Sequence, residues 1–285
     1  MPAMSSFTKA ARAFGKTGLS VEPVSLGGEG VLRTHGRSRD AVPVVLEALT
    51  QGVRYCDTAP AYDASQDYYG EAFREMPGAR DKVFLASKTH VREKHRALRL
   101  LDSSLQKLGT DRLDLWQMHD LRTQDDLDEI FGPNGAIEAA EAAKKAGKIR
   151  FVGLTGHQDP KILLAAMHLY DFDTVLLPVN PADGVKLPFL TTVIPEARRR
   201  GMGVIGMKVM AAGLILSDRT ATPEECIRYS MAFADTLIIG CSAPEEVKEN
   251  LRVGRTRAPM TLEERAALET RFAARASRYV YFKAS

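Results

Sequence analysis

Cysteine is scarce: only Cys56, Cys226 and Cys241 occur in 285 residues. They are too few and too far apart for a zinc or iron–sulfur ligand set, so no metal is expected. Their odd number argues against a disulfide framework and for a reducing compartment, and Cys56 and Cys241 read as small buried apolar residues. Long apolar runs are missing as well. Nowhere do about eighteen uncharged apolar residues follow one another, which leaves no membrane-spanning segment. The opening MPAMSSFTKAARAF holds no apolar stretch that would serve as a signal peptide. Neither sign of charge dominates: 39 Lys and Arg against 36 Asp and Glu leave +3, too small and scattered an excess to recruit nucleic acid or an acidic membrane surface. No GxGxxG follows a strand, so a Rossmann unit is not supported. These absences leave a cytoplasmic enzyme, with its oligomeric state open.

What is present is regular. At 45% hydrophobic and 26% charged, the chain has material for one large core, read as a single domain over residues 1–285. Eight short apolar runs recur: Val24 to Leu26, Arg54 to Asp57, Val83 to Lys88, Leu113 to His119, Ile149 to Thr155, Thr174 to Val179, Gly203 to Lys208 and Thr236 to Cys241. Between them, stretches such as AVPVVLEALTQG and PKILLAAMHLYD return apolar residues at three- and four-residue steps, the helical period. Eight alternations of strand and helix predict a closed parallel (β/α)8 barrel. Asp40, Thr222-Pro223 and Ser242-Ala243-Pro244 read as helix starts. RAFGKTGLSVEPV reads as a hairpin ahead of the barrel, and TLEERAALETRFAARAS (Thr261 to Ser277) as an extra helix beyond it. Two longer insertions, Leu121 to Gly135 and Met210 to Glu225, read as pocket walls. The aromatics of the tail, Tyr279, Tyr281 and Phe282, either cover that pocket or, in the reading put ahead, pack on the barrel wall.

Chemistry gathers at the ends of consecutive runs. Asp57 ends the second, Tyr62 follows on the loop DTAPAYD, Lys88 ends the third and His119 ends the fourth. A phenol, an ammonium, a carboxylate and an imidazole could therefore meet at one rim, and Tyr62 is the candidate acid. A phenol with a pKa near ~10 is a poor donor and a poor base at neutral pH. A neighbouring Lys88 lowers the cost of the phenolate, and Asp57 holds that ammonium charged.

The segments DTAPAY, LASKT and LDLWQMHD, with FGKTGLSVEPVSLGGEG, SSLQKLGTDRLDL, GKIRFVGLTGH and IIGCSAPEEVKENL around them, resemble the successive signatures of the aldo-keto reductase family over almost the whole length. The resemblance implies NADPH- or NADH-dependent reduction of a small carbonyl substrate, a hairpin that plugs the barrel floor, and His119 as a hydrogen-bond donor to the substrate oxygen. It puts the Gly27 to Gly30 cluster, Gly28 included, at the site's rim, and Glu249 and Asn250 where the family holds adenine. It implies phosphate recognition at the helix start after the eighth run. NADP stands ahead of NAD on family grounds. Gly240 and Ser242, however, stand where many members carry a basic residue, and so does Glu246. An acidic Glu246 repels a 2′-phosphate and suits a ribose hydroxyl, which keeps NADH open, unless Lys208, Arg252 or Arg255 supplies the missing charge. The family's Ser-Asn pair at the carboxamide is here Thr155 and Gly156, with Leu176 in place of a frequent Gln. Thr155, His157 and Asn180 are the candidates to compensate, and Met207 replaces an aromatic that stacks on the ring. The arginines from Arg255 to Arg278 read as a solvated face or as partners of an anionic cofactor. Two rival functions fit parts of the pattern: a dinucleotide-binding regulatory subunit with weak catalysis, and an aldolase using Lys88 as a Schiff base.

Overall fold

In a computed structural model, which describes residues 11–284, each of the eight predicted runs is a strand. The stretch read for a leader lies largely outside the described residues. A short antiparallel hairpin, β1 (Arg12–Ala13) and β2 (Ser20–Val21), precedes β3 (Val24–Gly30), β4 (Tyr55–Asp57), β5 (Phe84–Thr89), β6 (Leu113–Met118), β7 (Ile149–Thr155), β8 (Thr174–Pro178), β9 (Gly203–Met207) and β10 (Thr236–Cys241). From β3 to β10 every neighbour is parallel, and Leu237 of β10 pairs with Val24 of β3 to close the barrel.

Alternation along each strand sorts the side chains. Tyr55, Phe84, Ala86, Leu115, Leu176, Ile205 and Ile238 point inward and pack together, while the other face of each strand joins the larger core beneath the helices. Phe14 of the hairpin is fully buried and meets Tyr55 and Phe84 edge-on at 5.8 and 5.7 Å. Both partners are first residues of their strands, so the hairpin seals the amino-terminal end of the barrel. Polar chemistry is thereby confined to the opposite mouth.

Two boundary readings change. Asp40 does not cap its helix: Ser38–Thr50 begins earlier, and Asp40 sits in the first turn bonded to Arg37 at 3.0 Å, where a carboxylate favours the positive end of the helix dipole. The extra helix divides into Leu262–Phe272 and Ala276–Tyr279. Thr222 and Thr261 do cap, each exchanging bonds with a glutamate three residues on. The first insertion carries its own helix, Gln124–Phe131. Of the carboxyl-terminal arginines, Arg257, Arg271 and Arg278 are exposed and paired to Glu224, Glu225 and Asp218, while Arg255 and Arg265 are part-buried. Among the described residues no helix is long and apolar enough to cross a membrane.

Candidate active site

Asp57, Lys88 and His119 stand at or just past the ends of β4, β5 and β6, on the inward parity set by Tyr55, Ala86 and Leu115. Lys88 and Asp57 form an ion pair in which neither side chain is exposed. The ammonium also donates to the Thr58 carbonyl at 2.9 Å. It lies 4.7 Å from the centre of the Tyr62 ring, and that ring meets His119 edge-on at 5.7 Å. On the outer side Arg33, held by both oxygens of Glu29 at 2.9 and 3.2 Å, stands 5.4 Å from the same phenol ring. The four residues expected to meet do meet, with Tyr62 only 8% exposed.

Burial governs their ionisation. It holds the Tyr62 phenol well above its usual range, with the carboxylates of Asp57 and Glu29 acting in the same direction and Arg33 opposing them. The expectation that Lys88 makes this phenol more acidic is offset, because the ammonium is compensated by Asp57 next to it. Desolvation pushes Asp57 up and Lys88 down. His119 is held well below its usual value by burial and then by Lys88 and other cations, so its imidazole is neutral at physiological pH. Sequence reasoning overlooked Gln117, which is fully buried and donates to the second oxygen of Asp57 at 3.3 Å. Its place two residues before His119, on the same inward parity, was the available signal.

The residues proposed around a cofactor fall into two groups. Thr155, His157, Met207 and Lys208 surround the mouth. The Thr155 hydroxyl accepts the Asp120 N–H at 2.9 Å, and His157 Nδ1 lies 3.2 Å from the Asp120 carboxylate. Burial lowers the pKa of that imidazole to about 4. Lys208, Ala211 and Ala212 all adopt left-handed backbone (φ 54°, 49° and 54°), a strain that clusters at ligand clamps. Asn180 is spent internally, donating to the Lys208 carbonyl at 3.2 Å and accepting from Ala182 N–H at 3.0 Å.

The second group follows β10. A Cβ on Gly240 would lie 2.6 Å from the Glu29 backbone, and one on Gly28 2.9 Å from the Asp57 carbonyl, so both glycines are required by chain-to-chain packing. Ser242 N–H, at the start of helix Pro244–Thr256, is already capped by Glu246 at 2.7 Å. Glu249 is paired with Arg252, and Asn250 is buried against Cys241 Sγ at 3.5 Å. One buried polar atom at the mouth, His119 Nδ1, has no protein hydrogen-bond partner. A polar ligand end fits there. At the β10 helix start Glu246 accepts the Ser242 N–H, while the helix's own N-cap, Ala243, carries no side-chain bond.

The tail reaches this mouth. Phe282 packs edge-on to His157 at 5.9 Å and lies 5.1 Å from the Lys208 ammonium, whereas Tyr279 bonds Thr220 and Asp218 and Tyr281 is exposed. Lys283, its side chain fully buried, donates to the Asp183 carboxylate at 2.6 Å and to the carbonyls of Asp183 and Lys186, both at 2.7 Å. Replacing Lys283 by Met strands a buried carboxylate. Amide exchange at residues 280–284 is expected to quicken about tenfold or more, with exchange in the barrel strands unchanged; unaltered exchange would show that the pair does not hold the tail.

A closed parallel barrel with its ionisable side chains sunk in the mouth at the strands' carboxyl ends has the architecture of a (β/α)8 enzyme. The chain belongs to the aldo/keto reductase family, whose family model matches residues 24–226; its members are NAD(P)H-dependent oxidoreductases acting on small carbonyl substrates. It is 27% identical over 286 residues to L-galactose dehydrogenase of Arabidopsis thaliana, covering 84% of this chain and 86% of that protein. It is 26% identical over 235 residues to methylglyoxal reductase DkgB of Escherichia coli O157:H7, covering 76% and 83%. In fold it is similar to aldo-keto reductase AKR11C1 of Bacillus halodurans in its holo form (TM-score 0.74, 22% identity, 92% and 95% of the two chains). It is likewise similar to a Bombyx mori aldo-keto reductase in complex with NADP (TM-score 0.71, 18% identity, 91% and 92%).

Proposed function

We propose that the protein reduces an aldehyde or ketone to the alcohol, and runs the reverse oxidation, with Tyr62 as general acid and base. The observation that carries this reading is the burial of a phenol, an ammonium–carboxylate pair and a neutral imidazole against one another at the barrel mouth. When bound, the reduced dinucleotide supplies the hydride to the carbonyl carbon. Tyr62 donates its phenolic proton to the carbonyl oxygen, and His119, as a neutral imidazole, donates a hydrogen bond to the same oxygen. Lys88 stabilises the phenolate left behind, and Asp57 keeps Lys88 in place. Thr155, His157, Met207 and Lys208 would hold the nicotinamide end. A Schiff base on Lys88 is disfavoured, since its nitrogen is buried and donates to Asp57 and Thr58.

The cofactor we propose is NADH ahead of the NADPH that family likeness puts first. Glu246 caps Ser242, Arg252 is engaged by Glu249 and Glu224, Arg255 donates to Gln51, and Lys208 lies over Phe282. The two arginines are committed elsewhere, Lys208 is assigned to the nicotinamide end, and the acidic group repels a 2′-phosphate. The test is reduction of a panel of small aldehydes, ketones and aldoses, sugars being included because of the L-galactose dehydrogenase likeness. We expect kcat/KM about tenfold or more higher with NADH than with NADPH. Equal efficiency would remove Glu246 as a discriminator, and dinucleotide binding with no turnover across the panel would favour a regulatory subunit.

A further inference from the structure

We propose that Gln117 is a positioning residue of this cluster: its side-chain amide grips the second oxygen of Asp57 and so keeps the buried carboxylate ionised and turned toward Lys88. The inference rests on the proposed role of Tyr62 and adds to it a member that acts through Lys88 and Asp57 without touching substrate.

The barrel's register creates the contact. Lys88 and Gln117 are directly paired on β5 and β6, and Gln117 is paired with Gly153 on β7. A Cβ at Gly153 would come within 3.0 Å of Gln117 Cγ and 2.4 Å of Thr174 Oγ1. The missing side chain on β7 therefore leaves the room in which the amide lies. A carboxylate only accepts, which fixes the NH2 group of Gln117 toward Asp57, with Nε2 at 3.3 Å from Oδ2. The amide's own oxygen finds no protein partner. Leaving a buried carbonyl unpaired opposes stability, so packing alone does not select glutamine here; Leu or Met would fill the space without that cost.

A fully buried ammonium and carboxylate lose hydration, and transfer of one proton from Lys88 to Asp57 would leave a neutral pair. The charged form prevails only where further hydrogen bonds satisfy the carboxylate. Lys88 serves Oδ1 and Gln117 serves Oδ2. Without the amide, Oδ2 loses its hydrogen-bond donor, the neutral pair gains weight, and the phenolate of Tyr62 loses part of its stabilising charge. The apparent pKa of the phenol then rises. Alcohol oxidation needs the phenolate as base, so its rising pH limb moves to higher pH.

The test compares wild type with Gln117→Met, of equal length and without a donor, both saturated with oxidised dinucleotide and assayed for alcohol oxidation across pH. We expect the limb to move up by about one pH unit and the rate at about pH 8 to fall about tenfold, with KM for the dinucleotide within about twofold of wild type. Gln117→Asn, one methylene too short to reach Asp57, is expected to show the same shift and serves if the methionine variant fails to fold. In Gln117→Glu a protonated carboxyl donates to Asp57 and an ionised one repels it, so its activity relative to wild type is expected to decline as pH rises. Wild-type pH profiles in the folded variants would overturn the inference. The underlying reading fails separately, if Tyr62→Phe keeps its activity.

Discussion

Tyr62→Phe is expected to lower kcat for carbonyl reduction about a hundredfold or more while leaving the protein's melting temperature close to that of wild type. The two outcomes separate because the ring and the hydroxyl have different tasks. The ring packs against Lys88 and His119, and phenylalanine preserves those contacts. The hydroxyl is the proton donor, and losing a donor aimed at a developing oxyanion removes ~3–4 kcal/mol of transition-state stabilisation. Since burial holds the wild-type phenol above its usual pKa, reduction is expected to be nearly flat with pH through neutrality, and oxidation to rise toward alkaline pH. His119, already neutral, adds no limb near its ordinary value. Stopped-flow loss of dinucleotide fluorescence gives the reduction rate directly. A phenylalanine variant within a few-fold of wild type would remove Tyr62 from the chemistry.

Asp57→Ala is expected to lose both activity and about 3–5 kcal/mol of stability, because it leaves Lys88 charged in a site with no solvent access. Asp57→Asn keeps the shape but not the charge and is expected to fall in the same direction. The double variant Asp57→Leu, Lys88→Met removes both charges together. It is expected to recover most of the lost stability and none of the activity, since a buried ion pair replaced by apolar groups of similar size is often neutral in stability. Urea unfolding of the four proteins, alongside turnover, checks this. Single variants as stable as wild type would mean that the pair is not confined as described.

Much of the architecture was legible because it repeats. The eight short apolar runs became β3 to β10, apolar rather than alternating because one face of each strand lines the barrel and the other meets the helices. Thr222 and Pro223 carry enough local chemistry to begin a helix without help from the rest of the chain. Asp40 marked a helix start, but a carboxylate suits the first helical turn as well as the cap, and only the backbone's path from Arg37 places it in the turn. The catalytic candidates were visible as reactive side chains at strand ends. The bonds Glu246 makes to Ser242, and Asn180 to Lys208 and Ala182, were by contrast not legible.

Residue order alone prescribes strands, helices and the end of the barrel where polar groups collect, since those depend on spacing within a few neighbours. It cannot say that Gln117 meets Asp57, that Arg33 covers Tyr62 or that Lys283 anchors the tail beside His157. Those pairings join segments from 29 to 100 residues apart in the chain. They exist because closure of the barrel brings distant strand ends within hydrogen-bond reach and excludes the water that would otherwise satisfy each group separately.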